Sequence, residues 1–227
     1  MRCALLTLYM VIKITIETMM RILITDDHSV VRRGLKQILL HEFPTAFIDE
    51  GSDAEMLIKK VIKEQWDLII TDISMPGRSG LDALQQIKAD HPKLPVLVLS
   101  GHPEEQYALR VLKAGASGYL NKDADPVELI KAVHRILQGK KYITPTIADQ
   151  LIADLDKNDD KQAHELLSDR EFEVFKLIAS GKSVSDIAAQ MMLSVTTVST
   201  YRSRILMKMN LKTNAELTMY AIEHKLL

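Results

Sequence analysis

Asp26, Asp27, Asp72, Ser100 and Lys122 each stand at, or directly after, the end of a short apolar run. Singly they have ordinary duties, since aspartate commonly caps the helix after a strand and lysine is usually a solvated surface group. Together they outline a reaction site. In an open parallel sheet the carboxyl ends of the strands form one edge, and ligands gather there near the point where strand order reverses. Three carboxylates brought to that edge repel one another unless a cation neutralises them, and a hard divalent ion with oxygen ligands, Mg2+ above all, does so. Such an ion would bring a phosphoryl donor to a carboxylate, with an ammonium and a hydroxyl opposite to hold the transferred oxygens. Asp72 is then the expected nucleophile.

The elements that must position these groups are legible. Apolar runs of strand length cover 21–25 (RILIT), 46–49 (AFID), 67–71 (DLIIT), 95–100 (PVLVLS) and 117–121 (SGYLN), several of them apolar throughout, as strands covered on both faces are. Amphipathic patterns near 28–42, 53–65, 80–90, 103–114 and 125–138 alternate with them. The alternation predicts an α/β fold, a (βα)5 doubly wound parallel sheet. Asp53 and Asp125 sit where N-caps belong, the latter followed by Pro126, and Gly139 follows a helix end.

All seven prolines and eight of the nine glycines lie at or before Pro145. The proline-free remainder has helical periodicity, which predicts an all-α second domain. Between the two, 139–166 carries one short helical pattern around 146–155 and then the polar run DKNDDKQ, the composition of a linker. The formal charge of −1 hides an asymmetry: from Leu166 onward eight basic residues face six acidic ones, whereas the rest of the chain is net acidic. The only cysteine, Cys3, excludes an intrachain disulfide, and no zinc-ligand spacing exists, so a cytoplasmic location is expected. The apolar stretch within residues 1–19 is broken by Lys13 and Glu17 before the roughly 20 residues of a spanning helix, so no membrane association is expected. Residues 1–19 are expected to stand outside the fold, with the natural start at Met19 or Met20.

The helical tail opens on a capping box, Ser168 with Glu171 three residues later. Its first helix ends near Gly181, a second covers 184–191, and after a turn at 192–194 a third begins at Val195, a helix-turn-helix arrangement. On the third helix Val198, Ile205 and Met209 share one face, and Thr196, Thr200 and Ser203 the other. Ser199 and Arg204 lie beside the polar face, with Arg202 and Lys208 on its flanks and no carboxylate among them. Hydroxyls and guanidinium groups so arranged suit a polyanion, positioning phosphates and reaching base edges from the major groove.

Two resemblances follow from these motifs. Residues 20–138 resemble a two-component response-regulator receiver domain, on Ile24-Thr25-Asp26-Asp27-His28, Asp72-Ile73-Ser74-Met75-Pro76-Gly77, Leu99-Ser100-Gly101 and Gly118-Tyr119-Leu120-Asn121-Lys122. The resemblance implies that Asp72 accepts phosphate from a sensor histidine kinase, and that Asp26, Asp27, Asp72 and the Ser74 carbonyl hold Mg2+. It also implies that Ser100 and Lys122 bind the phosphoryl oxygens, with Tyr119 as the switch aromatic that follows Ser100. Residues 167–227 resemble the LuxR-type DNA-binding domain of the NarL/FixJ response regulators, on Leu167-Ser168-Asp169-Arg170-Glu171, Gly181-Lys182-Ser183, Asp186-Ile187-Ala188 and Thr197-Val198-Ser199-Thr200-Tyr201-Arg202-Ser203-Arg204-Ile205. Ser199 and Tyr201 replace residues common in that family, lysine and histidine. The implied partner is double-stranded promoter DNA, contacted by Thr196, Thr197, Ser199, Thr200, Tyr201, Arg202, Ser203, Arg204 and Lys208. The last helix, about 213–224 with Leu217, Tyr220 and Ala221, is implied to pair two copies as a homodimer. The expected function is a transcription regulator, not an enzyme. Two alternatives are a phosphorylation-independent regulator with a structural receiver and an Mg2+-dependent aspartyl phosphohydrolase. The latter lacks an acid/base two residues after Asp72, where Ser74 stands.

Overall fold

Five parallel strands form one sheet in the order β2-β1-β3-β4-β5: β1 Arg21–Thr25, β2 Phe47–Gly51, β3 Leu68–Thr71, β4 Val96–Ser100 and β5 Gly118–Asn121. The computed structural model describes residues 19–156 and 162–227, so the expected N-terminal extension, Met19 apart, and most of the charged linker run lie outside the described residues. Helices α1 Ser29–Glu42, α2 Ala54–Lys63, α3 Gly80–Asp90, α4 Glu104–Lys113 and α5 Pro126–Leu137 follow the five strands in turn.

Alternation along each strand sends successive side chains to opposite layers. Ile22, Ile24, Leu68, Ile70, Leu97 and Leu99 pack with α1 and α5, whereas Leu23, Ile69, Val98 and Tyr119 pack with α2, α3 and α4. Both layers are buried, which is why β1, β3 and β4 show no polar alternation, whereas the edge strand β2 keeps Asp49 and Glu50. The predicted N-caps hold: Asp53 accepts from the Met56 amide and Asp125 from the Val127 amide.

β1 lies between β2 and β3, so successive crossovers leave it in opposite directions and a crevice opens between the β1 and β3 ends. Register then brings the acidic residues together. Thr25 pairs with Thr71, and the Asp72 amide donates to the Thr25 carbonyl at 2.8 Å, which sets Asp26 and Asp72 side by side just beyond the paired residues. Ser100 pairs with Asn121, and the Lys122 amide donates to the Ser100 carbonyl at 2.9 Å.

The chain leaves the sheet through Tyr142, whose amide donates to the Ser117 carbonyl. Helix α6, Pro145–Asp156, then lies on α4, with Ile147 fully buried and the Gln150 side chain donating to the Glu105 carbonyl. The predicted linker helix is therefore docked on the first domain. After a single 3-10 turn, Ala163–Leu166, come α7 Asp169–Ala179, α8 Val184–Met191, α9 Val195–Lys208 and α10 Asn214–Glu223. Phe172, Phe175, Ile178, Ile187, Val198, Ile205, Leu217 and Ala221 form their core. Ser168 and Glu171 make the predicted capping box, and Ser183 with Asp186 makes a second. No helix among the described residues is long and apolar enough to cross a membrane.

Candidate functional site

Four of the five polar groups singled out in the sequence, Asp26, Asp27, Asp72 and Lys122, form one cluster, and Ser100 ends the neighbouring strand β4. Asp26 and Asp72 are nearly inaccessible, with side chains 2% and 3% exposed, whereas Asp27 stands at the rim at 28%. The Lys122 ammonium lies 2.7 Å from a carboxylate oxygen of Asp26 and 2.7 Å from one of Asp72. Burial draws the Lys122 pKa down, and the hydrogen bonds to these two carboxylates outweigh it, so the ammonium stays charged well above neutrality.

One ammonium offsets one of three negative charges. At an effective dielectric near 20, two carboxylates about 4 Å apart still repel by about 4 kcal/mol. The excess has a geometric counterpart: the Oδ1 of Asp72 is buried and has no hydrogen-bond partner. One carboxylate oxygen each from Asp26, Asp27 and Asp72, together with a His28 ring nitrogen, lie within 4.8 Å of one another. An orphaned carboxylate oxygen inside a compact cluster of hard oxygen donors fits a divalent cation. His28 is the residue that sequence reasoning left without a role; its amide donates to Asp26 at 2.8 Å and its Nδ1 lies 2.8 Å from Asp27.

At the end of β4 the Ser100 hydroxyl accepts the His102 amide at 3.2 Å. Tyr119 is fully buried, its hydroxyl donating to the His102 carbonyl at 2.7 Å, and burial pushes its pKa up to about 12 against the opposing effect of a hydrogen bond with Ser100. The ring already lies inside. Ser74 is exposed, and its hydroxyl is hydrogen-bonded to His102 Nε2 at 2.7 Å.

On α9, Val198, Ile205 and Met209 are buried, and Thr196, Ser199, Thr200, Ser203 and Arg204 are exposed. The Thr200 and Ser203 hydroxyls donate back to the carbonyls of Thr196 and Ser199, which turns their lone pairs outward. Thr197 is half-buried and its hydroxyl meets that of the N-cap, Ser194. Three other members of the predicted surface are engaged within the domain. Arg202 donates to the Asn214 side chain at 2.6 Å, Lys208 pairs with the buried Glu171 carboxylate at 2.6 Å, and Tyr201 is half-buried against the core. Arg204 makes no hydrogen bond or ion pair among the described residues, which leaves its guanidinium available to a polyanion. On α10 the face named from the sequence is used inside the chain. Leu217 and Ala221 are core residues and the Tyr220 hydroxyl meets His164 Nδ1 at 3.0 Å, whereas Met219 and Ile222 are exposed.

Comparison with known proteins agrees with both halves. Residues 22–134 match the response regulator receiver domain, and 165–221 match the luxR family of bacterial regulatory proteins. The chain is 37% identical over 215 residues to the oxygen regulatory protein NreC of Staphylococcus carnosus, covering 92% of this chain and 99% of that protein. It is 34% identical over 209 residues to the response regulator UvrY of Escherichia coli, covering 92% and 96%. Among solved structures, RcsB of Salmonella enterica serovar Typhimurium bound to the promoter rprA with the phosphomimetic BeF3− superposes with a TM-score of 0.59 at 27% identity, covering 88% of this chain and 98% of that one. A structure of two RcsB dimers on two parallel DNAs gives 0.56 at 28%, covering 89% and 98%. Carboxylates gathered at one sheet edge, a helix-turn-helix tail and relatives matched along their whole length place the chain in the NarL/FixJ family of DNA-binding response regulators.

Proposed function

We propose that Asp72 is the phosphoacceptor and that its modification by a sensor histidine kinase governs promoter binding. The observation that carries this reading is the buried, unpartnered Oδ1 of Asp72 beside the Lys122 ammonium. A carboxylate oxygen of Asp72 attacks the phosphorus of a phosphohistidine, the P–N bond breaks, and the imidazole leaves. Lys122 and the Ser100 hydroxyl receive the phosphoryl oxygens, and Tyr119 holds the loop that carries Ser100. Asp26, Asp27, Asp72 and the Ser74 carbonyl are the groups that would hold Mg2+, which when bound supplies positive charge to the phosphoryl oxygens. The chain has no acid/base two residues after Asp72, only the Ser74 hydroxyl held by His102, so it is read as a regulator and not as a turnover enzyme.

In this reading 20–138 form the receiver, 139–166 the linker and 167–227 the DNA-binding domain of a cytoplasmic protein. Thr196, Thr197, Ser199, Thr200, Ser203 and Arg204 face double-stranded promoter DNA, with Tyr201, Arg202 and Lys208 supporting the helix from behind. Two copies pair through the exposed side of α10, at Met219 and Ile222, and so present two recognition helices to paired half-sites. The RcsB complexes with DNA, one of them containing dimers, support this reading.

Fluorescence anisotropy with a target promoter fragment tests it. Phosphoramidate and Mg2+ should raise the affinity of the parent about tenfold or more, through pairing on adjacent half-sites, and leave Asp72→Ala unchanged. An equal rise in Asp72→Ala, or no rise in a parent that carries the label, would rule the scheme out.

A further inference from the structure

We infer that His102 is a positioning residue that carries the state of the acceptor site to the DNA-binding domain, through a ring stack running from His102 over Tyr107 to Phe172. The inference rests on the reading that Asp72 is phosphorylated and adds the route by which the tail senses it.

Three polar groups of His102 are tied to the site. Its ring Nε2 binds Ser74 at 2.7 Å, its amide donates to Ser100 at 3.2 Å, and its carbonyl receives the Tyr119 hydroxyl at 2.7 Å and the Asn121 amide group at 3.3 Å. Its ring faces the other way. It stacks on Tyr107 of α4 at 4.4 Å and 17°, and Tyr107 meets the edge of Phe172 of α7 at 5.6 Å and 66°. Phe172 belongs to the core of the helical domain, beside Phe175. The path from the acceptor loops to that core is therefore continuous packed matter, three rings long.

The surroundings hold this path in one arrangement. The Arg110 guanidinium lies 4.2 Å over the Phe172 ring and donates to the carbonyls of Leu167 and His164, 2.9 and 2.5 Å away. Lys176 reaches back from α7 to the Gln106 side chain, over the Tyr107 ring, and Arg170 reaches the Gly77 carbonyl on the loop after Asp72. Burial, with the nearby Lys176 charge, lowers the His102 pKa and keeps its imidazole neutral. A cleft of about 210 Å3 separates Asp27, Ser74 and His102 from Arg170, Lys176 and Gln190, which leaves the acceptor loops room to rearrange under the tail.

The contact acts on the seating of α7 and not by covering the recognition helix. Thr196, Ser199, Thr200, Ser203 and Arg204 are exposed although the two domains touch. A phosphoryl group on Asp72 competes for the Ser100 hydroxyl, which now accepts the His102 amide. When Ser100 turns toward the phosphoryl oxygens, His102 loses that bond, its ring shifts on Tyr107, and the fit against Phe172 is lost. Two packings of one interface, biased from one end, are what coupling between sites requires.

Cross-linking tests the route. The Gln106 side chain donates to the Lys225 carbonyl at 3.4 Å, so Gln106→Cys with Lys225→Cys, in a Cys3→Ser background, reports domain contact through its rate of reaction with a short bismaleimide. Phosphoramidate with Mg2+ should slow that rate at least about fivefold, and adding His102→Ala should cut the response to under about twofold while Asp72 is still labelled. A purely structural role for His102 would lower the rate with and without phosphate and preserve their ratio. A parent-like ratio in His102→Ala, or a labelled parent whose rate does not change, overturns the inference. Absence of label on the parent overturns the phosphorylation reading instead.

Discussion

Alanine at position 80 should unfold or severely destabilise the receiver domain. Gly80 opens α3, and a Cβ built on it would lie 1.8 Å from the carbonyl oxygen of Asp72 and 3.1 Å from the Ile73 Cα. Both are main-chain atoms of the segment that carries the acceptor, so no side chain can swing aside. The Gly80 amide also donates to the Ile73 carbonyl at 2.8 Å, and relief of the clash by moving α3 outward breaks that bond. Overpacking against backbone costs at least about 3 kcal/mol, a large share of a marginally stable domain, and lowers the Tm of the receiver by about 10 °C. Whatever fraction folds holds Asp72 out of line and accepts phosphate poorly. Calorimetry of Gly80→Ala beside the parent checks this; a Tm within about 2 °C of the parent's contradicts the close packing of α3 on the acceptor strand.

Replacing Lys122 by methionine should have opposite effects on stability and on cation binding. The ammonium is 2.7 Å from both Asp26 and Asp72, whose carboxylates are almost fully buried, and removal of one partner of such a cluster leaves uncompensated charge, about 3 kcal/mol in the presence of a chelator. The same removal makes the cluster more negative, so Mg2+ should bind about tenfold more tightly and restore part of the lost Tm by mass action. Phosphate acceptance should nevertheless fall, because a cation that orients the phosphoryl oxygens is gone. In the parent, the Lys122 contribution to stability is complete below pH 10.5 and is lost as pH climbs through its raised folded pKa; in Lys122→Met that alkaline loss should be absent. Calorimetric titration with Mg2+ and thermal melts across pH measure both arms. Unchanged Mg2+ affinity would show that Lys122 and the cation do not share the carboxylates.

Much of this was legible because burial on both sheet faces leaves plain apolar runs, and because Asp26, Asp27, Asp72, Ser100 and Lys122 are all read from the ends of those runs. Strand register does the rest, and register follows once β1 and β3 are neighbours. Other features leave no local signal. Lys208 looks like a free cation on a polar helix flank, yet its partner Glu171 is 37 positions earlier in the chain. Tyr107 and Phe172 read as ordinary core positions of amphipathic helices, and only the docking of two domains makes them neighbours. His102 falls within a loop, where nothing in the spacing shows that its ring joins Ser74 to α4. Leu217, Tyr220 and Ala221 have the periodicity of a pairing face, but the same spacing serves the interior of the domain, and burial assigns it there.

The direct test of the central claim is peptide mapping by mass spectrometry after exposure of the full chain to phosphoramidate. One phosphoryl group is expected on the peptide that contains Asp72, not formed when a chelator is present during the exposure and absent from Asp72→Asn. Label on another residue, or equal labelling of Asp72→Asn, would contradict it.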